Sequence, residues 1–298
     1  MIRLSLVIAT YNRCEQLLVT LRSVAEQQHS TEEWECIVVD NNSKDATRQR
    51  VEEFCASYPK LNIRYKFEAQ QGLSYARNAG IALSTGDIVA FIDDDERICP
   101  EFVSAYIELF DSHPEAMSAG GKIIAEYPTG RPRWMSHYAE LPIANPMDFG
   151  SEVKLFPAGR IPGGGNMAIR RRVFDIIGVF DTSLGRTGKR LIGGEESDLF
   201  ERMAQHNFAC YYAPRAVMYH IIPEEKLTLD YFRRLAFNTG VSQRRRATLH
   251  GRRLRLYCGE VVKWCATLAL CLVHRPVQSR YLIALRYNIS RGIFSCKE

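Results

Sequence analysis

The sequence predicts an α/β fold with a mostly parallel central sheet flanked by helices. Strongly apolar runs recur at residues 4–9, 35–40 and 87–93. Helically spaced segments fill the intervals between them, and a polar cluster follows each run. Alternation of buried strands with helices is the pattern of βαβ units, whose parallel strands are covered on both faces.

Each element has its own signal. Leu4-Ser5-Leu6-Val7-Ile8-Ala9 reads as a buried strand, and residues 15–28 follow with apolar positions Leu17, Leu18, Leu21, Val24 and Ala25 at helical spacing. Residues 35–40 form a second strand that runs into Asn41-Asn42-Ser43. Residues 46–58 read as a helix and 61–67 as a third strand. Residues 72–83 read as a helix whose Ala76, Ala79 and Ala82 suit close packing. The fourth strand, 87–93, ends in Asp93-Asp94-Asp95-Glu96. Ligands of such sheets bind beyond the carboxyl ends of the strands, which selects residues 10–13, 40–42 and 93–95. The stretch 127–161, rich in Pro, Trp, Tyr and Met, reads as long loops of the kind that close over a ligand and keep water away. Regular spacing returns at 166–179 and 197–205, and a helical region runs from about 227 to the end.

Of 298 residues, 46% are hydrophobic and 24% charged, the composition of a globular chain with a sizeable core. The net charge of +5 is uneven, because residues 241–298 carry 12 Lys and Arg against 2 acids and leave the remainder at −5. A basic tail on an acidic body predicts an anionic surface as partner. Its longest uncharged run, 264–273, is ten residues and reads as too short to cross a bilayer. An amphipathic segment lying on an anionic leaflet, or a helix packed on the α/β body, fits it. The stretch contains no recognised nucleic-acid module, so no nucleic-acid partner is expected. Nine cysteines without a Cys-x-x-Cys pair predict neither a disulfide framework nor a structural zinc site. Residues 4–9 are too few for the core of a secretory signal, and a reducing, cytoplasmic setting is expected.

Several groups have the composition of chemistry. Four adjacent acids at 93–96 repel one another and call for positive charge. Asp93 and Asp95, two apart in an extended segment, project to one side, and such oxygen donors suit Mg²⁺ or Mn²⁺ together with substrate phosphates. Gly163-Gly164-Gly165-Asn166 permits close approach of backbone to a ligand. Glu195 and Glu196 follow paired glycines at a loop-to-helix junction, where a carboxylate can accept a proton from a hydroxyl. Arg77 has the chemistry to pair with a phosphate, and His220 ends an apolar run. No GxGxxG follows the first strand and no Gly-Lys-Ser/Thr follows the glycines, which counts against dinucleotide-binding oxidoreductases and P-loop enzymes.

Taken in order, Thr10-Tyr11-Asn12-Arg13, Val38-Val39-Asp40-Asn41, Gly72-Leu73-Ser74-Tyr75-Ala76-Arg77-Asn78, Asp93-x-Asp95, Gly163-Gly164-Gly165-Asn166, Gly194-Glu195-Glu196-Ser197-Asp198 and Tyr219-His220 resemble the family 2 glycosyltransferases of GT-A fold. The resemblance covers about residues 4–223 and implies an inverting glycosyltransferase that uses a nucleotide-diphosphate sugar. It implies that Thr10, Asn12, Arg13, Asp40, Arg77, Asp93, Asp94, Gly164 and Asn166 bind the donor. It implies Asp95 and His220 as ligands of Mn²⁺ or Mg²⁺. Glu196 falls at the position of the general base, usually Asp in the family, with Glu195 as the reserve. A glycan or glycolipid is the implied acceptor, in surface polysaccharide or glycolipid assembly. The expected division is a catalytic domain at 1–223 and a basic helical region at 224–298, peripheral on the inner face of the cytoplasmic membrane. The rival readings are a nucleotidyltransferase and a non-catalytic sugar-nucleotide binder or regulator at a membrane. The first lacks a Lys-bearing glycine loop after strand one, and the second leaves the paired acidic motifs without a use.

Overall fold

A computed structural model describes residues 1–188 and 193–295. The order begins β1 (Leu4–Thr10), α1 (Cys14–Ala25), β2 (Trp34–Asp40), α2 (Thr47–Ser57), β3 (Ile63–Phe67), α3 (Leu73–Leu83) and β4 (Ile88–Asp93). It continues with β5 (Glu96–Ile98), α4 (Phe102–Ser112), β6 (Ala116–Glu126), α5 (His137–Ala144), β7 (Lys154–Leu155), β8 (Met167–Arg170) and α6 (Arg171–Ile177). Then come α7 (Glu195–Gln205), β9 (Ala209–Ile221), α8 (Leu229–Leu249), α9 (Arg253–Val273) and α10 (Pro276–Phe294). This is the expected α/β architecture, with a helical region at the end.

The strands form one sheet in the order β3-β2-β1-β4-β8-β6-β9-β5, with β7 beside β9. The pairs β2–β3, β1–β2 and β1–β4 are parallel. Beyond β4 the recorded pairs β4–β8, β6–β8, β5–β9 and β7–β9 are antiparallel. Side-chain alternation along β1 serves both faces of the sheet. Leu4, Leu6 and Ile8 join α1 and α4 in one core, while Val7 joins α3, α6 and α7 in the other. Gly80 lets α3 lie close on β1, since a Cβ there would run into Val7.

The chain forms two compact units. The first comprises Met1–Ile124, Met147–Ser183 and Glu195–Ile221; the second comprises Ala125–Pro146, Leu184–Gly194 and Ile222–Glu298. In the second, α8 and α10 meet at two glycines. A Cβ on Gly240 would strike the Ile289 carbonyl, and one on Gly292 would strike that of Phe237. Trp134 stacks on Tyr281 at 4.2 Å and meets Phe232 edge-on at 5.5 Å.

Two expectations need correction. Residues 127–161 are not loop throughout, because they hold α5 and β7. Ser136 caps α5 through Ala139 N, and Asn145 in the left-handed region (φ 45°) ends it. Pro142 within this short helix obscures the periodicity. Nor is the uncharged run 264–273 an isolated ten-residue segment. It lies within α9, 21 residues long and by length and composition sufficient to cross a membrane.

Candidate active site

The carboxyl ends of β1, β2 and β4 place Thr10, Asp40 and Asp93 along one edge of the sheet, with Thr10 opposite Asp40 and Ala9 opposite Asp93. Thr10 Oγ1 donates to Asp94 at 2.8 Å. Arg13 bridges Asp94 at 2.9 Å and Asp95 at 3.3 Å. Burial pushes the Asp94 carboxyl up to about 6, with Arg13 opposing and Asp95 reinforcing the shift. Asn12, at φ 51°, receives Lys44 N on its side chain and gives its own N–H to Ser43. Asp40 accepts from Tyr65 at 2.7 Å and from Ser43 N at 2.8 Å. The loops after β1 and β2 are thereby locked together.

Arg77, on α3, is 2% exposed yet holds three carboxylates. It reaches Glu196 at 2.8 Å, Glu195 at 3.3 Å and Asp93 at 3.3 Å, and it donates to Gly164 O at 3.2 Å. Burial alone would favour its neutral form, but Glu196, Asp93 and Glu195 more than offset this and raise its pKa. The two acidic motifs, more than a hundred residues apart in sequence, therefore meet at one guanidinium. Glu195 is 2% exposed and Glu196 22%, so Glu196 is the one a solute can approach.

Asp93, Asp95 and Glu96 each offer an oxygen, all within 4.8 Å of one another. His220 Nε2 stands 3.9 Å from Asp95 Oδ1. This donor set, hard oxygens beside one imidazole, fits Mg²⁺ or Mn²⁺. Glu96, read in the sequence only as part of the acidic run, is the ligand candidate that sequence reasoning did not assign. It is buried, accepts Asp93 N at 2.8 Å, and lies directly opposite His220 in the β5–β9 pair. Its place in the run 93–96 was the available signal.

The glycine cluster packs tightly against two acids of the site. A Cβ on Gly164 would collide with the Glu196 carboxylate, and one on Gly165 with that of Glu96. Close approach is thus made to the chain's own acids. Asn166, expected to face the donor, is completely buried. Its amide accepts from Tyr106 at 2.5 Å and donates to Lys122 O at 2.9 Å and Ala216 O at 3.0 Å, which ties β6 to β9. That role consumes its polar atoms in the interior.

The carboxylates and the Arg77 clamp thus gather at the carboxyl ends of the parallel strands, where ligands of such sheets bind. The chain belongs to glycosyl transferase family 2, whose model matches residues 5–178. It is 29% identical over 298 residues to the succinoglycan biosynthesis protein ExoM of Rhizobium meliloti (strain 1021), covering 97% of this chain and 90% of that one. It is 27% identical over 246 residues to a glucosyl-dolichyl phosphate glucuronosyltransferase of Haloferax volcanii, covering 81% and 76%. Among solved structures, the mannosyltransferase PcManGT from Pyrobaculum calidifontis, in complex with GDP-Man and Mn²⁺, superposes with a TM-score of 0.65 at 17% identity, covering 99% of this chain and 88% of that one. S. aureus TarS 1–349 with UDP-GlcNAc gives 0.58 at 20% identity, covering 81% and 66%. These structures establish the GT-A type fold. The family match ends before Glu195, so the grouping of Glu195, Glu196 and His220 with the strand ends rests on geometry.

Proposed function

We propose that this glycosyltransferase moves a hexosyl group from a nucleotide-diphosphate sugar to an acceptor hydroxyl, with inversion at the anomeric carbon. The observation that carries the reading is Arg77, which joins Asp93 of the cation cluster to Glu195 and Glu196. The catalytic function is assigned to residues 1–223. Asp93, Asp95, Glu96 and His220 would hold Mn²⁺ or Mg²⁺, which when bound supplies Lewis-acid neutralisation of the leaving diphosphate. Thr10, Asn12, Arg13 and Asp40 shape the donor's nucleoside side. Arg77 orients the Glu196 carboxylate, and Glu196 accepts the proton of the attacking hydroxyl. Glu195, more deeply buried, supports that arrangement.

A glycan or glycolipid acceptor, in surface polysaccharide or glycolipid assembly, is consistent with the succinoglycan and dolichyl-phosphate relatives. The enzyme is placed in the cytoplasm, peripheral on the inner face of the membrane. The test is nucleotide release from a panel of UDP-, GDP- and dTDP-sugars, with Mn²⁺ or Mg²⁺ and then with chelator. Release from at least one donor that stops on chelation is expected. A non-catalytic binder releases none, and chelator-insensitive release would remove the cation from the reading.

A further inference from the structure

The outward side of α9 is an apolar stripe. Leu254, Cys258, Val261, Cys265, Leu268 and Leu272 follow one another at steps of three and four residues, and all are exposed, Leu272 to 87%. Such steps line one side of a helix, over about 30 Å for 21 residues. Val262, Ala269 and Val273 widen the stripe and are exposed as well. Arg252, Arg253 and Arg255 stand exposed at one end of the helix and Arg275 at the other.

The inward side is fixed. Glu260 accepts from Arg286 at 2.8 Å and from Ser290 at 2.7 Å, and Trp264 donates to Ser290 at 2.9 Å. Across 241–295 there are eleven Lys and Arg, and the one acid is this inward, paired Glu260. The stripe is therefore apolar along its length and cationic at its ends, while Lys263, the one charged side chain exposed in the middle of the helix, lies about half a turn away from it.

We propose that the outward stripe of α9, with the arginines at its two ends, docks the protein in-plane on an anionic phospholipid surface. This deepens the peripheral placement proposed above. Apolar side chains enter the acyl boundary while arginines meet phosphate headgroups. Pairing of two copies through the same stripe sets arginine against arginine in either orientation, with no outward acid on α9 to relieve it. Passage of α9 across the bilayer would tear Glu260 and Trp264 from α10, so the helix lies flat.

The test is flotation of the full chain with vesicles of phosphatidylcholine, alone or mixed with phosphatidylglycerol. The protein should float with the mixed vesicles and leave them in alkaline carbonate. Leu268→Glu with Leu272→Glu should weaken binding at least about tenfold, from two lost apolar insertions. Arg252→Glu with Arg253→Glu should weaken it by about fivefold or more per position. Both variants should keep wild-type melting and nucleotide release. Four results would overturn the proposal: recovery in the aqueous phase, equal binding to neutral vesicles, carbonate-resistant retention, or a dimer in light scattering that the leucine variant dissolves. Flotation decides the surface even if no donor is turned over, so the two readings fail separately.

Discussion

Replacing Arg77 by methionine removes a cation of similar length from the centre of the site. In the wild type the guanidinium is 2% exposed and faces Glu196, Glu195 and Asp93 within 3.3 Å. Breaking a buried ion pair by deleting one partner costs about 3–5 kcal/mol, since the remaining charge is left without compensation. Glu195 bears most of that cost, being as deeply buried as the arginine. The sign of the pH dependence follows from the burial of Glu195. Arg77 has a raised pKa, so its stabilisation persists throughout the neutral and acidic range and contributes no slope there. In Arg77→Met, proton uptake by the buried carboxylate offsets the lost cation, so the deficit should be largest near pH 8 and shrink toward pH 5. Arg77→Lys should fall between, because an ammonium cannot span three acceptors with fork geometry. The assay is urea unfolding of wild type, both variants and Arg77→Met with Glu195→Gln across that pH range, the double variant recovering part of the loss. A deficit below about 1 kcal/mol at pH 8, or one independent of pH, would refute the clamp.

Three further outcomes are expected. Glu196→Gln should leave donor binding intact and lower turnover by about two or more powers of ten, read in single-turnover assays, whereas near-normal turnover would move the base elsewhere. Asp95→Ala should abolish metal-dependent heat of donor binding in calorimetry. Glu35 is a buried carboxylate that accepts from Ser5 at 2.7 Å, from Thr85 N at 2.6 Å and from Arg64 at 2.9 Å. Burial would raise its pKa, but these donors outweigh burial and lower it. Its contribution is therefore present above the unfolded carboxyl value and lost as pH falls through the folded one. Glu35→Gln should cost about 1–2 kcal/mol at pH 7, discounted for the partly exposed Arg64, and the gap should narrow below about pH 4 in thermal melts.

The parallel half of the sheet was legible because its strands bury both faces, so Leu6 and Val7 are both apolar although they point into different cores. The antiparallel half was not. β5 is three residues long, and its partner in β9 lies over a hundred residues away, a pairing that no local pattern encodes. Glu96 reads in sequence as one of an acidic run and not as a ligand, since its opposition to His220 exists only in the folded register. Asn166 shows the converse difficulty. Its position after three glycines reads as a ligand contact, yet Tyr106, Lys122 and Ala216 occupy its amide from three other elements.

Glu260 decides how α9 should be understood. Read along the chain, it and Lys263 break an apolar run and shorten the segment below a bilayer's thickness. In the fold it sits on the inward side of a continuous 21-residue helix and is 2% exposed. A buried carboxylate requires a partner, and Arg286 and Ser290 of α10 supply one. The charge that interrupts the apolar run in sequence instead fixes the rotation of the helix. With Glu260 turned inward, Leu254, Val261, Leu268 and Leu272 must face outward. Glu260→Gln would keep the hydrogen bond to Ser290 and lose the charge opposite Arg286. It should therefore loosen α9 without altering the composition of the stripe. Faster hydrogen exchange in α9, with the exchange of β1 to β4 unchanged, is the expected signature. Unchanged protection of α9 would mean that its rotation is set by apolar packing on α10 and that the ion pair is incidental.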